Sequence, residues 1–254
     1  MARPLTYETK PGVRMPKPED SRPKRFYTDV SVAEGEGAWQ VLLDGRSVKT
    51  PARNLLQVPT RALAELLAAE WDAQGERIDA PLMPANRLCF VAIDLMGEAH
   101  GDTVAEVTRY AANDQLCFRA PEPSDLVAAQ ATAWDPLLDW ARRELGVDLQ
   151  SGTGILPIEQ DAAALQAVHA RASALDVWRL TALAHATAVC GSAVLGLALL
   201  EGERSGEEVF ALSIIDEAYQ IAQWGHDDEA AQRLDLLKAE LIAAERLLRA
   251  LDAS

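Results

Sequence analysis

The stretch WQVLLDGRSVKTP (39–51) decides how the first part of the chain folds. Trp39, Val41 and Leu43 alternate, so they share one face of an extended strand. Asp44-Gly45 then supplies a pair that tolerates positive φ at both positions, which a type I′ turn demands. The spacing predicts a tight hairpin inside a β-rich stretch over residues 26–58. NLLQVP (54–59) reads as a third strand, stopped by Pro59 because proline lacks a ladder donor. A helix is expected next over TRALAELLAAEWDAQ (60–74), with Thr60 as its N-cap. Leu63, Leu66, Leu67 and the Glu70-Trp71 pair follow at helical spacing. A small sheet packed on one helix would bury both apolar faces.

Beyond IDAPLMPAN (78–86) the pattern turns helical. Candidate helices are 85–97, 99–112, 125–145, 160–174, 177–190, 192–201, 206–223 and 227–250. Their connections are short and carry Gly, Pro or Asp. SGTGILPI (151–158) is the exception, a brief strand or an extended connector. No tandem repeat occurs. The fold class is α+β: a small N-terminal antiparallel β-rich domain over 24–82, then a larger helical bundle over 83–254. Residues 1–23 form a Pro-rich, flexible basic tail. They contain no apolar signal core, and Glu8, Glu19, Asp20 and the prolines argue against a transit helix.

Composition narrows the function. The 254 residues are 49% apolar, enough for a sizeable core, and carry a formal charge of -15. That field repels phosphate backbones, so no nucleic-acid partner is expected. Cys89, Cys117 and Cys190 are odd in number and far apart, which fits a reducing compartment rather than a disulfide framework. LTALAHATAVCGSAVLGLALL (180–200) approaches the ~20 residues needed to span a bilayer. Its small residues and the break at Gly191-Ser192 instead suggest two central bundle helices, so no membrane insertion is expected. His185 within it reads as a hydrogen-bonded core histidine, because no second ligand type sits at i+3 or i+4.

The sequence has no phosphate-binding glycine loop, dinucleotide fingerprint or nucleophile elbow. Neither cofactor nor metal is expected. The acidic run after His226 has ligand chemistry, but neighbouring helical residues point in different directions.

The stretch IIDEAYQIAQWGHDDEA (214–230) draws attention for another reason. On one continuous helix, Ala211, Ile214, Ile215, Ala218, Ile221 and Ala222 form an apolar stripe that should face the core. Asp216 then lies opposite, solvated beside Gln220 and Gln223. Glu217 falls on the flank, in line with Phe210 and Trp224. A carboxylate between two aromatics at a core boundary suits recognition of a partner. An ordinary ion pair at the core rim is the plainer reading, and Trp224 could simply plug the helix end. A carboxylate or metal site near Asp216, Glu217 and Asp227 is the enzymatic alternative, and a general protein-binding adaptor is a second.

Several stretches recur in the order expected of one family: KRFYTDVSV, VLLDGRSVKTP, LAAEWDAQ, MPANRLCFVAIDLM, RYAANDQLCFRA and DEAYQIAQWGHDDEA. Together they resemble the assembly chaperones of the ATP synthase catalytic head that act on its alpha subunit. The resemblance spans about residues 24–230. It implies an α+β N-terminal domain followed by an orthogonal helical bundle. It also implies a non-enzyme that binds free alpha subunit, shields its interface and releases it to beta; a monomer is expected. The family's DE…YQ…WG motif falls on Asp216, Glu217, Tyr219, Gln220, Trp224 and Gly225, with Glu217 matching the critical acid and Phe210 beside it. Ala218 departs from relatives that carry another acid there, which leaves the choice between Asp216 and Glu217 open. Abundant Ala and a preference for Arg over Lys suggest a bacterial cytoplasm, with the mitochondrial matrix as the alternative.

Overall fold

In the computed structural model, residues 21–253 are described apart from 36, 155, 157, 226 and 227. The predicted 1–23 tail therefore lies almost wholly outside the described residues.

Strands β1 (Val30–Gly35), β2 (Ala38–Leu43), β3 (Arg46–Ser47) and β4 (Gln57–Val58) form one sheet in which β2 pairs antiparallel with the other three. The hairpin is the expected one. Leu43 pairs with Arg46 across two residues, and Asp44 and Gly45 take φ of 48° and 76°. Asp44 does more than turn the chain: its Oδ1 accepts the backbone N–H groups of Thr28 and Asp29, at 3.0 and 2.8 Å. Val41 and Leu43 are buried beneath the sheet against Leu63, Ala64 and Leu67 of α1 (Arg61–Asp72).

Thr60 caps α1 by accepting the Leu63 N–H at 3.2 Å. Its hydroxyl proton goes elsewhere, to the carbonyl of Ala250, 190 residues downstream. At the other end of α1, Glu70 accepts three bonds from the start of α2 (Pro84–Asp94): the backbone N–H groups of Ala85 and Asn86 and the Asn86 side-chain amide. Trp71 Nε1 donates to Asn86 Oδ1 at 2.9 Å. The EW and PAN stretches are thus two halves of one joint. Glu70 satisfies orphan donors at a helix N-terminus, where its charge also meets the helix dipole.

The remaining helices are α3 (Met96–Ala112), α4 (Ser124–Trp140), α5 (Ala162–Ser173), α6 (Val177–Cys190), α7 (Ala193–Leu200), α8 (Gly206–Ser213), α9 (Ile215–Trp224) and α10 (Asp228–Asp252). The 125–145 prediction ends in a wider turn at Ala141–Leu145. A short pair not anticipated in full, β5 (Phe118–Arg119) parallel to β6 (Gly152–Thr153), ties the SGTGILPI connector to the turn after α3.

The apolar 180–200 segment is two helices, as expected. Gly191 takes φ of 63°, and Ser192 Oγ accepts the Leu195 N–H at 3.0 Å. No described helix is long and apolar enough to cross a membrane. Residues Ala193 through Leu199 of α7 are all buried. Asp114, fully buried, fixes this centre by accepting the N–H groups of Leu116 and Val194 at 3.1 and 3.0 Å.

One core runs through the whole chain, from Val41 and Leu63 to Leu195, Leu241 and Leu247. Helix α10 connects its parts, packing on α1, α2, α6 and α8. His185 differs from its expected role. It is half-buried, and its Nε2 sits 3.0 Å from Glu240 Oε2 at an angle outside that of a hydrogen bond. Burial pushes the Glu240 carboxyl up, but His185 and Arg87 outweigh it and hold the group below the ordinary range.

Candidate partner-binding site

The single predicted helix over 206–223 is two helices. The break falls at Ile214, with φ of -110° and ψ of 21°. Nothing in ALSIIDEA is a helix breaker; the cause is tertiary. Trp134 Nε1 of α4 donates to the Leu212 carbonyl at 2.9 Å, and Gln115 Nε2 donates to the Ser213 carbonyl at 2.8 Å. Both carbonyls belong to the last turn of α8, so the two side chains satisfy acceptors that a helix end leaves open.

The break redirects everything that follows. A stripe drawn at 100° per residue across 211–222 holds only in part: Ile214, Ile215 and Ile221 are half-buried, but Ala211, Ala218 and Ala222 are exposed, and α9 has no fully buried residue. The face that meets the bundle is mixed: Ile215 packs half-buried against the core, and polar side chains contact α4 beside it. Asp216, expected in solvent, instead turns toward α4, where its Oδ1 accepts from Gln130 Nε2 at 2.6 Å. Gln130 is only 1% exposed, and its Oε1 accepts the Ala120 N–H at 2.9 Å, so both ends of its amide are used. Tyr219 hydroxyl donates to the Asp125 carboxylate, 3.0 Å from either oxygen. Partial burial, followed by that carboxylate's hydrogen bond and charge, raises the Tyr219 pKa above its usual value.

Glu217 points the other way. It pairs with Arg233 of α10 at 2.5 Å, and both side chains are about half exposed. Phe210 remains on α8, half-buried against the core, so Phe210, Glu217 and Trp224 do not share one helix edge. Gln220 is exposed. Trp224 is 79% exposed and plugs nothing. Asp216 and Glu217 therefore diverge, one to α4 and one to α10. Asp227 of the alternative carboxylate cluster lies outside the described residues.

Helix α9 is thus a largely exposed helix, held by Gln130, Asp125 and Arg233 together with Ile215 against the core, and ending in a solvent-facing tryptophan. The overall fold is shared with proteins of known structure. A family model described as ATP12 chaperone protein matches residues 24–142. Crystal structures of Atp12 from Paracoccus denitrificans, including an Asp-to-Lys mutant, are 38% identical, cover 90% of this chain and 98% of theirs, and superpose with a TM-score of 0.83. The Atu1473 protein of Agrobacterium tumefaciens is 40% identical over 90% of this chain and 86% of its own, with a TM-score of 0.85. The chain belongs to the ATP12 chaperone family. The mitochondrial protein atp12 of Schizosaccharomyces pombe is 26% identical over 236 residues, 88% of this chain and 80% of that protein.

The segment matched by the family model ends within the turn after α4 and stops short of α9. Much of what lies inside it is structural. The EW-to-PAN joint and the buried Asp114 hold elements together. Sequence reasoning missed Gln130 and Asp125, which hold α9, and Gln115 and Trp134, which bond the end of α8. Gln130 carried one signal: it is a polar residue at a buried position of α4, and such groups require partners.

Proposed function

We propose that this chain is a non-enzymatic assembly chaperone that binds the free alpha subunit of the ATP synthase catalytic head, covers its interface and yields it to the beta subunit. The observation that carries the proposal is α9. The family's DE…YQ…WG stretch lies on a helix that buries no residue of its own and displays Trp224 to solvent. Large exposed aromatics on a held surface are typical anchors of protein recognition.

On this reading Glu217, Gln220 and Trp224 form the contact face, with Tyr219 at its edge beside Asp125 of α4. Asp216 holds the helix at the right height from beneath, and Phe210 supports it from α8. Obligate ring interfaces often bury more than ~2,000 Å² and are strongly apolar. A smaller, more polar grip can hold alpha and still lose to beta, without cofactor or ATP. The opposed directions of Asp216 and Glu217 weigh against the carboxylate-site alternative. The chaperone descriptions of the family model and of the Agrobacterium relative favour this reading over a general adaptor. We place the protein, as a monomer, in a bacterial cytoplasm, in keeping with its Paracoccus and Agrobacterium relatives. The fission-yeast relative's name supports the mitochondrial matrix as the alternative.

Size-exclusion chromatography with purified components tests the proposal. Free alpha should co-elute with the chain and the assembled head should not. Glu217→Lys should weaken retention by roughly 30-fold or more, the usual cost of breaking a desolvated charged contact. Equal retention of alpha and assembled head would sink the proposal.

A further inference from the structure

A second surface lies far from α9 in sequence, on the N-terminal sheet. A cleft of about 490 Å³ opens between the β2–β3 hairpin and α1, lined by Phe26, Arg46, Ser47, Lys49 and Trp71 over a floor of Leu43 and Val48. Phe26 is 72% exposed, yet it is not loose. Arg25 N–H donates to the Glu76 carbonyl on one side of it, and Thr28 and Asp29 are held by Asp44 on the other. Its ring meets buried Tyr27 edge-on at 5.3 Å. Tyr27 in turn meets Trp71 at 5.8 Å and donates its hydroxyl proton to the Trp71 carbonyl. An aromatic series therefore runs from the core to a fixed, solvent-facing ring. A large apolar group already immobilised loses little entropy when a partner covers it.

The charges of the cleft are as unusual. The chain has 39 acidic and 24 basic residues, so carboxylates are in excess. Nevertheless, among the described residues, neither Arg46 nor Lys49 forms an ion pair. The one carboxylate lining the cleft, Asp44, is occupied. The Asp29 and Thr28 N–H groups hold its pKa below the ordinary range, with a smaller contribution from Arg46. Two cations beside an exposed aromatic complement an acidic segment that also carries an apolar side chain. A second copy of this chain would bring its own charge of -15, and a nucleic acid would bring its phosphates, against the same acidic body.

We infer that this cleft receives an acidic segment of the client subunit, with an apolar side chain laid on Phe26 and Trp71 and carboxylates paired with Arg46 and Lys49. The inference rests on the chaperone reading above and adds a second, electrostatically distinct contact to it. Two separated contacts on one client give a combined grip that neither has alone.

Titration of purified alpha subunit against the full chain, at low and at physiological salt, tests it. The wild type should bind more weakly as salt rises. Arg46→Glu combined with Lys49→Glu should weaken binding about 10-fold or more and remove most of that salt dependence. Phe26→Ser should weaken it about 10-fold and leave the salt dependence intact. Circular dichroism checks folding, and an Arg46→Gln, Lys49→Gln pair replaces the reversal if the latter unfolds. Unchanged affinity in the folded charge variants overturns the cleft while leaving the α9 surface standing. Failure of the wild type to bind alpha overturns both readings. Self-association that the charge variants abolish, with alpha binding untouched, assigns the cleft to a second copy and overturns the inference.

Discussion

Asp216→Lys should detach α9 while leaving the rest of the fold in place. The carboxylate accepts a 2.6 Å bond from a glutamine that is 1% exposed. Hydrogen bonds to charged groups contribute about 1.5–3 kcal/mol, and the half-exposed position of Asp216 reduces that to about 1–2 kcal/mol. Lysine also directs a donor at the Gln130 donor and puts a cation in the first turn of α9, where the helix dipole disfavours it by about 0.3–1 kcal/mol. A total near 2 kcal/mol lowers the cost of local opening enough to speed amide exchange across 215–224 by about 30-fold. The other attachments, Tyr219–Asp125 and Glu217–Arg233, are solvent-exposed and cannot compensate. Because α9 has no buried residue, the melting temperature should hardly move. Asp216→Asn retains the acceptor and should show only a few-fold increase. Hydrogen-exchange mass spectrometry reads both variants. Unchanged exchange in α9, or acceleration spread equally over α6 and α7, would refute the reasoning.

Two further outcomes follow from the buried interior. Burial pushes the Asp114 carboxyl up to about 6, only partly offset by bonds from Ser192, Val194, Leu116 and Ala193. A raised carboxyl stabilises the fold below its ordinary value of 3.8 and loses that contribution as pH rises through about 6. Asp114→Asn should therefore gain on the wild type by about 1 kcal/mol between pH 5 and pH 7, read as urea midpoints; an equal difference at both pH values would contradict it. Gly206→Ala places a methyl 2.7 Å from the Leu241 carbonyl and 2.8 Å from Ile242 Cα, forcing α8 off α10. A cost of about 2 kcal/mol, or about 4–8 °C in melting temperature, is expected by calorimetry, whereas no change would mean the two backbones can separate freely.

The sequence was legible where the decisive chemistry is local. The hairpin could be placed because Asp44-Gly45 contains its own turn instruction, and Thr60 and Ser192 mark helix starts by side chains one turn away. The division at Gly191 was visible for the same reason. The break at Ile214 was not, because its cause lies in Gln115 and Trp134, 98 and 78 residues from the carbonyls they satisfy. Once that break was missed, the helical phase carried through it gave Asp216 the wrong neighbour and put Ala211, Ala218 and Ala222, all exposed, on the core face. The resemblance named the motif residues, but which of two adjacent acids faces the bundle was set by Gln130, 86 residues away.

The bond from Thr60 to the Ala250 carbonyl joins residues 190 positions apart, and α10 is the element that brings α1, α2, α6 and α8 together. At a ribosomal pace of 5–20 residues per second, about 10–40 s separate the appearance of the two partners. Through that interval the sheet and its helix exist without α10, on which α1 packs, so a nascent chain of this family carries the same kind of uncovered apolar face as an orphan subunit awaiting its ring. A translation product cut short before α10 would stay in that state, an aggregation-prone species for the proteases that clear unfinished chains.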